Sequence, residues 1–546
     1  METSYGGNVV RRWVGWLSRG RWRRWECVVV LTGLFLAPFV RVLSHVGDEG
    51  TLVYGAQRVA EGALPYRDFF EVMGPASFWW LGMFFRLFGP SFLVARVLLL
   101  MTGVCTALLV YWIARKTTPG PGDWWPALMV TVASIPLWPA TSHHWDSNLF
   151  FLGGVALFLQ SRAGDRRGYL IASGIAAGLT ACFMPEKGAY LSIALTSTLA
   201  LVPGTGGLRL RLTKCLMFLT ASASPLLGVA VFYAAQGELG AIVHATLLWP
   251  LSHYSAINAM PYARWAVALS AGSSARALAF LPEQLRFLLA LTALPAAVFF
   301  VTSPAAVVLL GLLAFKFGHL SPKLLGQALP VCLAAAALYL SEVHRPDFFH
   351  LVYGAPLLLV SVVLVGRAAF PSKTANRSFW LLLAVPGLVW GGALVIGAMR
   401  ANVRVETRRG PVFVEKRDEA LEALLSTTPP RSRVFVYPYY PMYYFLADLV
   451  NPTRYSILEY GYNTEEQLRE AADDLVMRRV ELVLSDTVVS GENLSAWFPG
   501  YRPPPPEDQL IEKVLDARYE EYSRKAGWRF LRLRHAGNAG SADGAR

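Results

Sequence analysis

Apolar residues in this chain run in long blocks, at 27–40, 92–113, 126–139, 216–235 and 379–399. A helix needs about 20 such residues to cross a bilayer core, so blocks near that length read as transmembrane helices. The charge content agrees: 16% of residues are Asp, Glu, Lys or Arg, against about a quarter in an ordinary soluble chain. The fold class expected is a polytopic α-helical membrane protein.

Residues 27–40 follow a basic run (Arg11, Arg12, Arg19, Arg21, Arg23 and Arg24), and no small-residue cleavage pattern comes after them. That reads as a retained signal anchor with its N-terminus in the cytoplasm. The arm accounts for part of the formal charge of +13. Beside a span, such an arm sets topology and meets anionic membrane lipid, so nucleic acid is not expected as a partner.

Arg115-Lys116 mark a second cytoplasmic loop, which requires an even number of crossings since the arm. Residues 76–88 are too few to cross and read as an interfacial or re-entrant helix, with Trp79 and Trp80 at headgroup level. The stretch 45–90 then lies on the far side of the membrane. Cytoplasmic loops at 162–167, 209–214 and 367–377 continue the alternation. They put His143-His144-Trp145-Asp146, Pro185-Glu186-Lys187 and residues 344–350 on the outer face. With two spans between 285 and 340, the count is about 11 transmembrane helices.

After Arg400 the chain turns charged and has no spanning block. Strands are expected at 433–437, 480–484 and 527–533, and helices at 464–478 and 507–525, which makes a small α/β domain. The organisation expected is a cytoplasmic basic arm at 1–26, a membrane module at 27–400 and an extracytoplasmic α/β domain at 401–536. A disordered tail follows at 537–546. The five cysteines (Cys27, Cys105, Cys182, Cys215 and Cys332) sit in or beside apolar segments without a CxxC pair, which argues against a disulfide framework or a cysteine zinc site.

Five carboxylates (Asp48, Glu49, Glu61, Asp68 and Glu71) crowd the stretch 47–75. Charge beside a bilayer is costly unless solvated, paired or used, so the active site is expected in this loop. Asp48 and Glu49 read as catalytic carboxylates at the outer end of the first helix, able to act as general base toward a hydroxyl. A helix C-terminus disfavours acids, which weighs against a merely solvated helix end there. Glu71, after Phe69-Phe70 and before Gly74-Pro75, can hydrogen-bond a sugar or tune the base; its plain alternative is a loop acid paired with Arg67 or Arg58. Tyr66 and Arg58 are further substrate-binding candidates.

His143, His144 and Asp146 form a polar knot that can contact substrate, ligate a divalent ion or simply turn the chain. Adjacent histidines diverge on a helix and no matching second pair exists, so no metal ligands are assigned and a divalent cation stays open as cofactor. Lys187, Arg345 and His350 supply cations suited to phosphate oxygens, or ion pairs at helix ends. No phosphate-binding glycine loop with the required context occurs, so an internal nucleotide site is not expected. The aromatic run 437–445 either stacks on sugars or packs the outer domain down.

The stretch Asp48-Glu49, Tyr54, Arg58, Gly62, Pro65-Tyr66, Glu71 and Pro75, then Leu87-Phe88-Gly89 and Arg96, resembles the N-terminal module of GT-C-fold membrane glycosyltransferases. The branch is that of the protein O-mannosyltransferases and lipid A aminoarabinose transferases, with similarity over about the first 190 residues. The resemblance implies a polyprenyl-phosphate-linked sugar donor and transfer, usually inverting, on the outer face of the cell inner (plasma) membrane. It makes Asp48 the catalytic carboxylate, with Glu71 and Asp146 matching later acidic positions. In the aminoarabinose branch the late acid is followed by Lys-Pro; here Val72-Met73-Gly74-Pro75 follows Glu71, so the phosphate-binding lysine of that branch is missing. Lys187, Arg345 or His350 is expected to replace it, and the acceptor is unassigned. A transporter or lipid flippase and a non-catalytic polysaccharide assembly protein are the alternatives. Acids gathered at one face, with no repeat, favour the enzyme.

Overall fold

The computed structural model describes residues 24–43, 47–120, 122–201, 207–254, 258, 322–369, 372–487, 494, 498, 501 and 503–534. The arm before residue 24, the 285–321 part of the stretch 285–340 expected to hold two spans, and the tail from 537 lie outside these residues. The membrane module begins with α1 (Arg24–Leu36), α2 (Gly47–Ala60), α3 (Pro75–Phe88), α4 (Phe92–Thr117) and α5 (Trp125–Ala133). It continues with α6 (His143–Arg162), α7 (Arg167–Phe183), α8 (Pro185–Leu201) and α9 (Leu208–Ala235), then α10 (Pro322–Leu340), α11 (Phe348–Gly354), α12 (Pro356–Ala369) and α13 (Lys373–Arg400).

Among the described residues three helical stretches are long and apolar enough to cross a membrane: α4, α9 and the Asn376–Arg400 part of α13. Helix α4 starts at Ser91, whose side chain accepts from the Leu93 amide, and ends on Arg115 and Lys116. The apolar block 126–139 is not one crossing helix. Helix α5 stops at Ala133, where Ser134 bonds back to the Val130 carbonyl and Pro136 and Pro139 follow, so the backbone leaves the helix. The bundle core draws Val110 and Ile113 of α4, Phe151 and Phe158 of α6, Leu338 of α10, Leu357 of α12 and Trp380 of α13 into one cluster.

Beyond Arg400 come β1 (Val403–Val405), β2 (Val412–Val414), α14 (Glu419–Thr427), β3 (Val434–Tyr437), α15 (Met442–Leu446), α16 (Glu465–Met477), β4 (Leu482–Asp486), α17 (Leu510–Arg518), β5 (Tyr519–Lys525) and β6 (Trp528–Leu533). Strands β1 and β2 form an antiparallel pair, and the other four form a sheet of order β3-β4-β6-β5. The β3–β4 pair is parallel, which requires a crossover; α15 and α16 lie in it. Helix α16 opens on a capping box made by Thr464 and Gln467.

This C-terminal unit shares a core with α2 and α3. Val53, Tyr54, Leu81 and Phe85 pack with Leu421, Val434, Tyr444, Phe445 and Phe530, and Tyr54 stacks on Tyr444 at 5.1 Å. Two glycines allow the approach. A Cβ at Gly47 would run into the Tyr439 ring, and one at Gly50 into the Met442 backbone. The start of α2 is thereby pressed against residues 439–442, so that Asp48 meets the C-terminal unit.

Candidate active site

Asp48 and Glu49 lie in the first turn of α2, not at the end of the preceding helix. That corrects the dipole argument: a helix N-terminus favours acids, so their presence there carries no electrostatic cost that function must explain. Their surroundings separate the two. Asp48 is exposed, and Oδ1 accepts a hydrogen bond from the Tyr439 hydroxyl at 3.2 Å. Glu49 is sealed, with Oε2 accepting from Arg96 at 3.0 Å and Oε1 from the Thr141 amide at 2.9 Å. Both charged side chains of that pair are 0% exposed. The pair joins α2 to α4, and both carboxylate oxygens of Glu49 are taken up, one by Arg96 and one by the Thr141 amide.

Glu71 is buried and hydrogen-bonded to Ser456 of the C-terminal unit. Burial pushes its carboxyl up to about 8; the charge of Asp48 adds to this, while the Ser456 bond and Arg58 oppose it. At neutral pH Glu71 is thus mostly protonated. Its pairing is with Ser456 rather than Arg67, whose guanidinium is bound by Asp68.

The loop between α10 and α11 supplies Arg345. Its Nε donates to Asp347 at 2.9 Å, its Nη1 donates to Asn258, its guanidinium lies 4.6 Å over the Phe498 ring, and its charge interacts with Asp48. His350 sits on the same Asp347, with Nδ1 at 2.8 Å from Oδ1. Burial opposes the ionisation of Asp347, but His350 and Arg345 outweigh it and hold the carboxyl well below the usual range. Burial likewise works against His350 charging, and Asp347 overcomes it, raising the imidazole.

Behind this loop lies a second cluster. Lys187 Nζ is 2.6 Å from Glu342 Oε1 and donates to Ser147 Oγ at 3.0 Å and Asn148 Oδ1 at 2.9 Å. His144 Nδ1 lies 3.1 Å from Glu342 Oε2, and its ring stacks on Tyr353 at 4.3 Å. His144, Glu342 and His350 present ligand atoms within 4.8 Å of one another, so the donor types suit a divalent ion. The fit is poor, because the Lys187 ammonium already occupies Glu342 and would repel a second cation, while His350 is held by Asp347. Lys187, one of the cations expected to meet phosphate, is thus engaged by Glu342, Ser147 and Asn148.

Four other expected site residues are held by contacts of their own. Arg58 donates to the Asp68 carbonyl at 2.8 Å and lies 4.9 Å over the Phe69 ring. Tyr66 is 1% exposed, and its hydroxyl donates to the Met73 carbonyl at 2.6 Å. Asp146 is buried and accepts from Thr102 at 3.2 Å. His143 is half-buried against His144, with ring centroids 4.3 Å apart. Among the described residues none of these four makes a hydrogen bond or ion pair with Asp48, whose Oδ1 is met by Tyr439.

Tyr439 of the aromatic run joins Asp48, and residues that sequence reasoning did not single out complete the group: Ser456, Glu459 and Tyr462 from the C-terminal unit, and Tyr254 after α9. Tyr462 and Tyr254 interact electrostatically with Asp48, and Glu459 with both Asp48 and Arg345. The aromatic run that holds Tyr439 was the one available signal. An acid, a protonated acid, an arginine and several phenols can together bind a polyhydroxylated, phosphate-bearing molecule and take up a proton from it. A cleft of about 500 Å³ between α3 and α9, lined by Trp79, Met83, Leu87 and Phe232 with Arg67 and Arg86, opens at the other end of α2.

No protein-family model matches the chain, and no curated protein matches it in sequence. Solved structures share its fold. The Archaeoglobus fulgidus oligosaccharyltransferase in complex with zinc and sulfate is 14% identical, with a TM-score of 0.51 over 92% of this chain and 72% of that one. ArnT from Cupriavidus metallidurans bound to undecaprenyl phosphate is 12% identical, with a TM-score of 0.51 over 97% of this chain and 99% of that one. The apo form of that ArnT is 12% identical, with a TM-score of 0.52 over 95% and 98% of the two chains. The fold is the GT-C fold of membrane glycosyltransferases.

Proposed function

We propose that this chain is an integral-membrane glycosyltransferase that moves a sugar from a polyprenyl-phosphate donor to an acceptor hydroxyl or lipid phosphate on the outer face of the inner membrane. The observation that carries the reading is the meeting of an exposed Asp48 with Glu71 and Arg345 where the helix bundle abuts the C-terminal unit. The undecaprenyl phosphate bound by ArnT, a protein of the same fold, supports the choice of carrier.

A lipid-linked donor keeps its isoprenoid in the bilayer and its phosphate at the interface. For a hydroxyl acceptor, its oxygen attacks the anomeric carbon as the bond from that carbon to the phosphate oxygen breaks. The leaving polyprenyl phosphate takes the electron pair, and Asp48 takes the hydroxyl proton. Attack from the face opposite the phosphate inverts the anomeric centre. Arg345 meets the charge on the departing phosphate, with His350 beside it on the shared Asp347. Protonated Glu71 adds no negative charge to a site that must admit an anion. No step is assigned to a metal ion.

The test incubates purified protein with a panel of polyprenyl-phosphate sugars and measures released polyprenyl phosphate. Turnover is expected in the wild-type chain. Asp48→Asn should lower it at least about 100-fold, the usual contribution of a positioned base, while inserting and melting normally. Silence of the wild-type chain across the panel, or normal turnover in the variant, refutes the mechanism.

A further inference from the structure

Glu459 has no role in the steps above, yet it is 3% exposed and coupled electrostatically to Asp48 and Arg345. It sits on a tight turn at 458–463. The Leu458 amide donates to the Pro438 carbonyl at 3.1 Å, the Glu459 amide to Asn463 Oδ1 at 2.8 Å, and the Asn463 amide back to the Glu459 carbonyl at 2.8 Å. Gly461, at a φ of +87°, closes the turn in the left-handed region. Tyr460 is tied to Glu512 at 2.6 Å, and Tyr462 packs on Trp249 with ring centroids 4.9 Å apart. The backbone of this turn is fixed from several sides.

The side chain is not. Among the described residues Glu459 Oε1 is buried and has no hydrogen-bond partner. A buried carboxyl oxygen left unpaired is costly, so a rigid turn that holds one beside a reactive acid and an arginine marks a place for a ligand's polar group. Phenol rings of Tyr439 and Tyr462 feel the same carboxyl. Burial, helped by the charge of Asp48 and opposed by Arg345, pushes Glu459 up to about 8, so at neutral pH it can both donate and accept. An anion is poorly served by this oxygen; a hydroxyl is well served.

We propose that Glu459 is a specificity-determining residue that hydrogen-bonds a hydroxyl of the transferred sugar, so that the C-terminal unit selects which sugar is accepted at Asp48. This inference rests on the glycosyltransferase reading above. It extends the part of the C-terminal unit in the site from Tyr439 and Ser456, which hold Asp48 and Glu71, to recognition of the sugar. A site built around a hydrogen bond rejects ligands lacking the matching group far better than an apolar pocket does.

The test uses full-length protein in detergent with undecaprenyl-phosphate-mannose and undecaprenyl-phosphate-glucose as probes. Release of undecaprenyl phosphate and quenching of tryptophan fluorescence are both read. In Glu459→Ala the preference between the two donors should change by about tenfold, while Glu459→Gln, which keeps a donor and an acceptor, stays within about threefold of wild type. If Glu459→Ala does not fold, Glu459→Asp, which withdraws the carboxyl by one methylene, should shift the preference in the same direction. An unchanged preference in Glu459→Ala or Glu459→Asp, with the wild-type chain active or binding, overturns the inference and leaves the glycosyltransferase reading intact. If the wild-type chain neither turns over nor is quenched by these two, the same comparison is run with two donors of the panel that it does accept, and silence across the whole panel overturns both readings.

Discussion

Replacing Glu49 by Gln tests whether neighbouring acids in one helical turn do different work. The substitution keeps the carbonyl-type oxygen that accepts from the Thr141 amide and removes the charge facing Arg96. Arg96 is then a guanidinium of 0% exposure whose Nε and Nη1 already have no hydrogen-bond partner among the described residues. At 3.0 Å and an effective dielectric of about 20, Coulomb's law gives about 5.5 kcal/mol for the lost attraction. Buried pairs broken from one side typically cost about 3–5 kcal/mol, because an uncompensated charge remains. The two figures agree in scale. The assay is thermal unfolding in detergent, followed by tryptophan fluorescence, alongside donor turnover. Glu49→Gln should melt well below wild type yet turn over donor at low temperature. Removing both charges in Glu49→Gln/Arg96→Met should recover much of the lost stability. Asp48→Asn should do the reverse, melting normally and failing to turn over. A Glu49→Gln protein with wild-type melting and no activity would refute the division and return Glu49 to the catalytic group.

Gly50→Ala should cost about 1–3 kcal/mol or more, since its Cβ meets the Met442 backbone, which cannot swing aside; limited proteolysis between the membrane module and the C-terminal unit reads the loosening, and unchanged resistance counts against that packing. Arg345→Ala removes a charged hydrogen-bonding partner worth about 1.5–3 kcal/mol, a fall of roughly 10- to 150-fold in kcat/KM for donor, with Arg345→Lys recovering part of it; an unaltered kcat/KM sinks the phosphate role. Glu71 and Glu459 are both raised to about 8, so turnover should fall as pH rises through 8 and two new charges appear beside Asp48. Linkage has the same sign: an acid whose folded pKa lies above the unfolded value of about 4.3 stabilises fully below that value and loses its contribution as pH climbs to the folded pKa. Glu71→Gln should weaken the alkaline limb and Glu71→Gln/Glu459→Gln flatten it, and a wild-type rate constant between pH 7 and 9 would contradict the assignment.

Local chemistry made much of this protein legible. Apolar stretches at 92–113, 216–235 and 379–399 fall inside helices α4, α9 and α13, because hydrophobic length needs no distant partner to act. Strands β3 and β4 lie where the β-branched and aromatic runs put them, and α3 where residues 76–88 do. The block 126–139 misled, since its apolarity hid the prolines and the Ser134 back-bond that end α5. Glycines flanking Asp48-Glu49 were visible as letters, but what they approach was not.

Sequence alone determined that the chain lives in a membrane and that its acids crowd the stretch 47–75, because hydrophobic length and local charge are properties of short segments. Tertiary structure decided what each charge does, because burial and pairing are set by residues far away in the chain. It sealed Glu49 on Arg96, gave Lys187 to Glu342 and left Asp48 exposed under Tyr439. It also brought Arg345 and Glu459, which lie 297 and 411 residues further along the chain, to one carboxylate, that of Asp48. A charge in the low-dielectric interior takes its character from whatever stands within a few ångströms, and only the fold specifies that neighbour.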